Sequence, residues 1–130
     1  MATSDNVVRA GLTPKLRDVP TLVEMLTYDS GPASKQLLKP EVISDSTLLY
    51  DPPIDEFSVF KVNVDSKGSE KHRGIEGPSI CVVTEGKGKV AWGEDGEDVE
   101  RGEVIFIGAG TEVEWSTEDN LEVFRAYVEA

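Results

Sequence analysis

Val82-Val83-Thr84-Glu85-Gly86-Lys87-Gly88-Lys89-Val90 (residues 82–90) and Arg101-Gly102-Glu103-Val104-Ile105-Phe106-Ile107-Gly108-Ala109-Gly110 (residues 101–110) carry the texture that decides the fold of this chain. β-Branched and aromatic residues favour strands, and glycines placed between them permit the positive φ that tight strand corners require. Around this pair, Ser79 to Thr84 reads as a nearly continuous apolar strand and Lys89 to Trp92 as another. Asp95-Gly96 marks a tight hairpin turn between Trp92 and Val99. Val104 to Ile107, Thr111 to Trp115 and Leu121 to Val128 supply further strands. Upstream, Phe57 to Val64 sets Phe57, Val59, Lys61 and Asn63 against Ser58, Phe60, Val62 and Val64, and the second set is mostly apolar. From Leu48 onward the pattern is that of an all-β sandwich or barrel.

The 130 residues suffice for one compact body with a real core and not comfortably for two. A hydrophobic share of 38% beside 29% charged residues fits a globular protein, and no apolar run reaches the length of a bilayer span. The opening Met-Ala-Thr-Ser-Asp lacks the basic flank and apolar stretch of a secretory signal, so the expected location is cytoplasmic, with no membrane partner. A net charge of −12 argues against a nucleic-acid partner, because a phosphate backbone is gripped by excess Lys and Arg. A local pair of cations can still hold a phosphosugar on an acidic protein. The single cysteine, Cys81, has no internal disulfide partner and reads as a small buried hydrophobe in a strand.

Ahead of the β region the chain has another character. Residues 6–10, Asn-Val-Val-Arg-Ala, read as a short strand ended by Gly11 and Pro14. Asp18 reads as a helix N-cap with Pro20 in the first turn, and Leu22, Met25 and Leu26 recur at helical spacing. From Asp29 to Ser46 the chain reads as a connecting arm, with Ala33 to Leu38 able to close a helical turn. The fold class is therefore mainly β with one short N-terminal helix.

The strand, Gly86-x-Gly88 turn, hairpin, and Gly102-led strand ending at Gly108-Ala109-Gly110 resemble a cupin, a β-sandwich or barrel of the jelly-roll type. Metal-binding members carry a histidine three residues after that last glycine, where this sequence has Val113. The remaining ligand positions fall near residues 72–79, which offer one imidazole, His72, and one carboxylate, Glu76. A transition-metal site wants three or four converging N, O or S ligands, so this jelly roll reads as metal-free. Residues 66–74 form a polar stretch with Gly68 and Gly74, and His72 reads there as a solvated loop histidine.

Ser4-Asp5-Asn6-Val7-Val8-Arg9-Ala10-Gly11-Leu12-Thr13-Pro14-Lys15 closely resembles the arginine-bearing segment of type I phosphomannose isomerases, and the likeness extends through Tyr28. Tyr50-Asp51-Pro52-Pro53-Ile54-Asp55-Glu56-Phe57 also resembles that family's entry into its C-terminal domain. The resemblance implies a zinc-dependent interconversion of mannose 6-phosphate and fructose 6-phosphate, with hexose 6-phosphate as partner. It implies Arg9 as the catalytic cation, stabilising charge on enediolate oxygens, and Lys15 as the substrate-phosphate contact. Taken from the residues alone, Arg9 would simply end a strand and Lys15 would be a solvated turn lysine.

The resemblance implies zinc held through glutamine, glutamate and two histidines upstream of this segment, so no metal ligand and no cofactor are expected in this chain itself. Residues 1–28 are expected to be the active-site edge and residues 29–130 the metal-free cupin-like domain. Met1 is expected to stand at an internal methionine of the family, and the isolated chain to be inactive. Two other readings stand beside this one. The first is a non-catalytic cupin module that binds a sugar phosphate. The second is a structural piece requiring a separate zinc-bearing domain, in which Val7-Val8 and Leu22, Met25 and Leu26 leave apolar surface open. Trp92 and Trp115 are expected to pack the sandwich, and Glu94 to Asp98 to form a charged hairpin end.

Overall fold

The structure, a computed structural model, describes residues 7–129. It comprises two compact units that meet in sequence between Leu37 and Leu38.

In the first unit the strand expected over 6–10 does not form across Val7 to Ala10, and Asn6 lies outside the described residues. A strand needs a ladder partner for its backbone groups. Instead the Arg9 carbonyl accepts from the Asp18 N–H at 2.8 Å, a bond local to the turn. The expected helix is present as α1, Val19–Met25. Its start is built as the sequence indicates: the Asp18 carboxylate accepts from the Thr21 N–H at 3.1 Å and from the Thr21 hydroxyl at 2.7 Å. Those bonds hold the Asp18 carboxyl below its ordinary pKa. Pro20 sits in the first turn, where its missing N–H leaves no bond unmade. The helix stops when Leu26 turns extended, and a single 3₁₀ turn follows at Ala33–Gln36. No described residue of this unit is buried.

The second unit is antiparallel throughout. Its strands are β1 (Glu41–Val42), β2 (Thr47–Tyr50), β3 (Ser58–Val64), β4 (Ser69–His72), β5 (Ser79–Trp92), β6 (Asp95–Glu100), β7 (Val104–Ile107), β8 (Val113–Ser116) and β9 (Leu121–Tyr127). One run pairs β1-β2-β3-β9-β5-β7 and a second pairs β4-β8-β5-β6. β5 belongs to both. The first half of β5 pairs β9 and β7, and its second half pairs β8 and β6. The expected mainly β, curled architecture is what forms.

That double membership corrects the reading of residues 79–92. Ser79 to Thr84 and Lys89 to Trp92 are one 14-residue strand, and Gly86-Lys87-Gly88 bends it without ending it. The register slips between Val83 and Glu85. An extra residue exchanges the two faces of a strand, and the buried positions accordingly pass from Ser79, Cys81 and Val83 to Val90. Gly86 has φ +77°, and a Cβ there would overlap the Asn120 carbonyl, so the bend requires glycine twice over. The β5–β6 hairpin forms, but Gly93-Glu94 is its turn, because Trp92 pairs directly with Asp95. The Asp95-Gly96 pair lies inside β6.

Buried side chains from both runs make one core. Val62, Val64, Val83, Val123 and Leu121 meet Val90, Val99, Val113 and Trp115, with Phe60 and Ile105 packed against them. Trp115 is fully buried, as expected of a packing residue, whereas Trp92 remains 37% exposed at the hairpin end. Cys81 is buried, and burial pushes its thiol up to about 12 against the opposing pull of Arg125.

Candidate functional site

The two cations singled out by sequence, Arg9 and Lys15, lie in the first unit on an irregular segment. Arg9 is half-buried and Lys15 exposed. The backbone around them is ordered by short bonds: the Asp18 N–H donates to the Arg9 carbonyl and the Lys15 N–H donates to the Thr13 hydroxyl at 3.2 Å. Among the described residues neither side chain has a hydrogen-bond or ion-pair partner. A guanidinium can hold an anion through paired donors, and an ammonium as a point charge.

The second unit holds a group of polar side chains that sequence reading missed. His72 does not sit in a solvated loop. It ends strand β4 and is 8% exposed, with Phe60 tilted against its ring at a centroid distance of 4.9 Å. Its Nε2 lies 3.1 Å from the Thr47 hydroxyl and its Nδ1 3.5 Å from Nη1 of Arg125. Arg125, on β9, is 1% exposed and donates from Nε to the Ser79 hydroxyl at 2.9 Å, and among the described residues it has no carboxylate within ion-pair distance. At the other end of the group Glu70 accepts from Thr47 at 2.8 Å and from Ser44 at 2.5 Å. Burial, with Arg125 adding to it and Glu70 opposing, lowers the His72 pKa to about 4. Burial also lowers that of Arg125. Ser69-Glu70-Lys71-His72 carries no apolar alternation that would mark this strand, and a run of polar residues between glycines resembles a loop more than a sheet edge.

Zinc does not fit this interior. Both nitrogens of its one imidazole are engaged by protein groups, and the neighbouring guanidinium repels a cation. Position 113 is a buried valine that pairs across from His72. Among the described residues no cluster of three or more His, Cys, Asp or Glu side chains is arranged to hold a metal. Two open clefts also mark this unit. One, of about 930 Å³, sets Lys67, Lys87 and Lys89 among the carboxylates of Asp98, Glu100, Glu103, Glu118 and Asp119, so its lining is mixed with an acidic excess. The other, of about 540 Å³, is lined by Phe60 and Tyr127, whose rings stack at 4.7 Å, beside Arg73 and Glu129.

With that geometry in place, likeness to known proteins becomes informative. Residues 47–95, which run from β2 to the start of β6, match the family model described as phosphomannose isomerase type I C-terminal. The whole chain aligns with the mannose-6-phosphate isomerase of Cryptococcus neoformans var. neoformans at 60% identity over 133 residues, covering 100% of this chain and 31% of that protein. The chain corresponds to the C-terminal part of the type I phosphomannose isomerases. The mannose-6-phosphate isomerase of Ogataea parapolymorpha is 44% identical over 139 residues, again across 100% of this chain and 33% of the relative. The chain thus spans about a third of the length of the curated isomerases it matches. Its fold agrees with theirs. The crystal structure of mannose 6-phosphate isomerase from Salmonella typhimurium, bound to substrate (f6p) and a zinc atom, superposes with a TM-score of 0.77 at 33% identity, covering 100% of this chain and 32% of that one. Among the described residues no helix is long and apolar enough to cross a membrane.

Proposed function

We propose that this chain is the C-terminal portion of a zinc-dependent mannose-6-phosphate isomerase, with residues 1–28 forming an edge of the active site and residues 29–130 a metal-free cupin portion. The observation that carries the reading is the 60% identity along the entire chain to an isomerase of which it covers 31%. An aldose–ketose isomerase must polarise a carbonyl, move a proton between C1 and C2, and hold the phosphate away from the chemistry. Arg9 would stabilise the charge that builds on the enediolate oxygens, and Lys15 would bind the hexose 6-phosphate as a point charge on its phosphate. Their lack of side-chain partners among the described residues supports both roles.

Zinc, when bound, supplies the Lewis acid for the carbonyl. It would have to come with ligands from a separate zinc-bearing portion, since the single histidine of this sequence is committed to Thr47 and Arg125. The chain alone is then inactive. Such a portion would work where hexose phosphates are found, in the cytoplasm.

The test is a coupled assay of mannose 6-phosphate conversion with the purified chain, with and without zinc, alongside metal analysis. No turnover and no retained zinc are the expected results, and zinc-dependent turnover abolished by Arg9→Ala would overturn the assignment of an incomplete site. The same two cations, without side-chain partners among the described residues, also favour a second reading, a module that binds the sugar phosphate without converting it. Calorimetric titration with fructose 6-phosphate distinguishes the two: saturable binding lost in Arg9→Ala and Lys15→Ala supports the binding module.

A further inference from the structure

We propose that Arg125, His72, Thr47 and Glu70 form a directional proton-donor relay in which neutral His72 latches strand β4 to β2 and β9, and that protonating His72 opens the latch. The direction follows from which atoms can donate. Glu70 is a carboxylate acceptor, so the single hydroxyl proton of Thr47 goes to it, and the Thr47 oxygen is left to accept from His72. Nε2 of His72 therefore carries the ring proton. Arg125 has donors only, so Nδ1 must present its lone pair to Nη1. The ring is neutral and held in one tautomer by partners on both sides. The relay also connects the buried guanidinium on β9, which has no carboxylate beside it among the described residues, through two side chains to Glu70. Buried charges otherwise require a direct partner.

β4 ends the second run of strands and has a ladder partner on one side only, β8. Its ties to the opposite run include the His72 and Glu70 contacts with Thr47 of β2, Ser44 before it, and Arg125 of β9, together with the Phe60 ring of β3 against His72. A proton added to Nδ1 would place N–H against N–H and positive charge against Arg125. The groups facing His72 are accounted for strand by strand. β4 contributes Glu70, β9 contributes Arg125 and Tyr127, and β5 contributes Cys81 beside Arg125. Thr47 of β2, Phe60 of β3 and Val113 of β8 carry no charge. Only Glu70 favours the protonated ring, and its nearest oxygen is already committed to two hydroxyls.

His72 is the only histidine in the sequence, so nuclear magnetic resonance of the uniformly ¹⁵N-labelled chain reads it without ambiguity. Long-range imidazole spectra at pH 7 should show protonated Nε2 and bare Nδ1, with a titration midpoint near pH 4. The backbone resonances of residues 69–72 should move with the same midpoint. Thr47→Val should keep the Nε2–H tautomer, because Arg125 still requires a bare Nδ1, but should move the backbone resonances of residues 69–72 at pH 7, and Thr47→Ser should restore them. A midpoint near the ordinary 6.5, an Nδ1–H tautomer, or protonation that leaves β4 unmoved would overturn the proposal. If Thr47→Val does not fold, the titration of the unmodified chain still decides.

Discussion

Residues 7–37 and residues 38–129 divide the work of this chain in opposite ways. The first unit contains Arg9 and Lys15, yet none of its described residues is buried, and α1 leaves Val23 and Met25 each 58% exposed. The second is stabilised by a valine-rich core around a fully buried Trp115. Stability follows apolar area removed from water, whereas recognition of an anion needs unpaired donors on an accessible backbone. The buried core and the Arg9 to Lys15 segment lie in different stretches of sequence, and changes in each should be felt in different measurements.

The largest effect is expected from Trp115→Ala, because removing a fully buried indole should cost roughly 3–5 kcal/mol in urea denaturation. Trp92→Ala, at the exposed hairpin end, should cost much less. Trp115→Phe should fall between them, because it retains most of the ring volume and removes the one buried indole N–H without a partner among the described residues. Gly86→Ala should follow, at about 3 kcal/mol, by adding a positive-φ penalty to overlap with the Asn120 carbonyl. Gly93→Ala, at φ +60° with open space around it, isolates the φ part alone. An equal loss at both glycines would break the argument that the bend is set by close backbone approach.

Acid should produce the next largest effect, again in the β unit. His72 has a folded pKa of about 4 against an ordinary 6.5, so between those values the unfolded chain binds more protons than the folded one. Stability from this group is complete above pH 6.5, is lost as pH falls toward 4, and amounts at most to about 3 kcal/mol. Chemical denaturation across pH 7 to 4 measures it, and His72→Gln should flatten that part of the profile. The smallest effect on the main transition is expected from Asp18→Ala. Helical circular dichroism should fall as α1 loses its cap, while the denaturation midpoint of the β unit stays in place. A shift of that midpoint would show that the two units share stability.

Much of this fold was legible before the structure. The cap at Asp18, the alternation of Phe57 to Val64 and the strands near Val104, Val113 and Leu121 depend on spacing within a few residues, and they form close to where they are expected. The failures share one cause. Gly86 and Gly88 were read as ending a strand because glycine permits a turn, but β9 and β8 each hydrogen-bond to β5 and hold it extended through the bend. The strand expected at Val7 to Ala10 had the opposite fate, for it has the right residues and no ladder among the described strands.

By itself the sequence determined the mainly β character, the helix start, and the family likeness that singles out Arg9 and Lys15, because each is written in neighbouring residues. Only the tertiary structure decided that His72 is buried among strands, with its pKa lowered by that burial. Thr47, Phe60 and Arg125 reach it from strands 25, 12 and 53 residues away in sequence, and no local pattern records such a meeting.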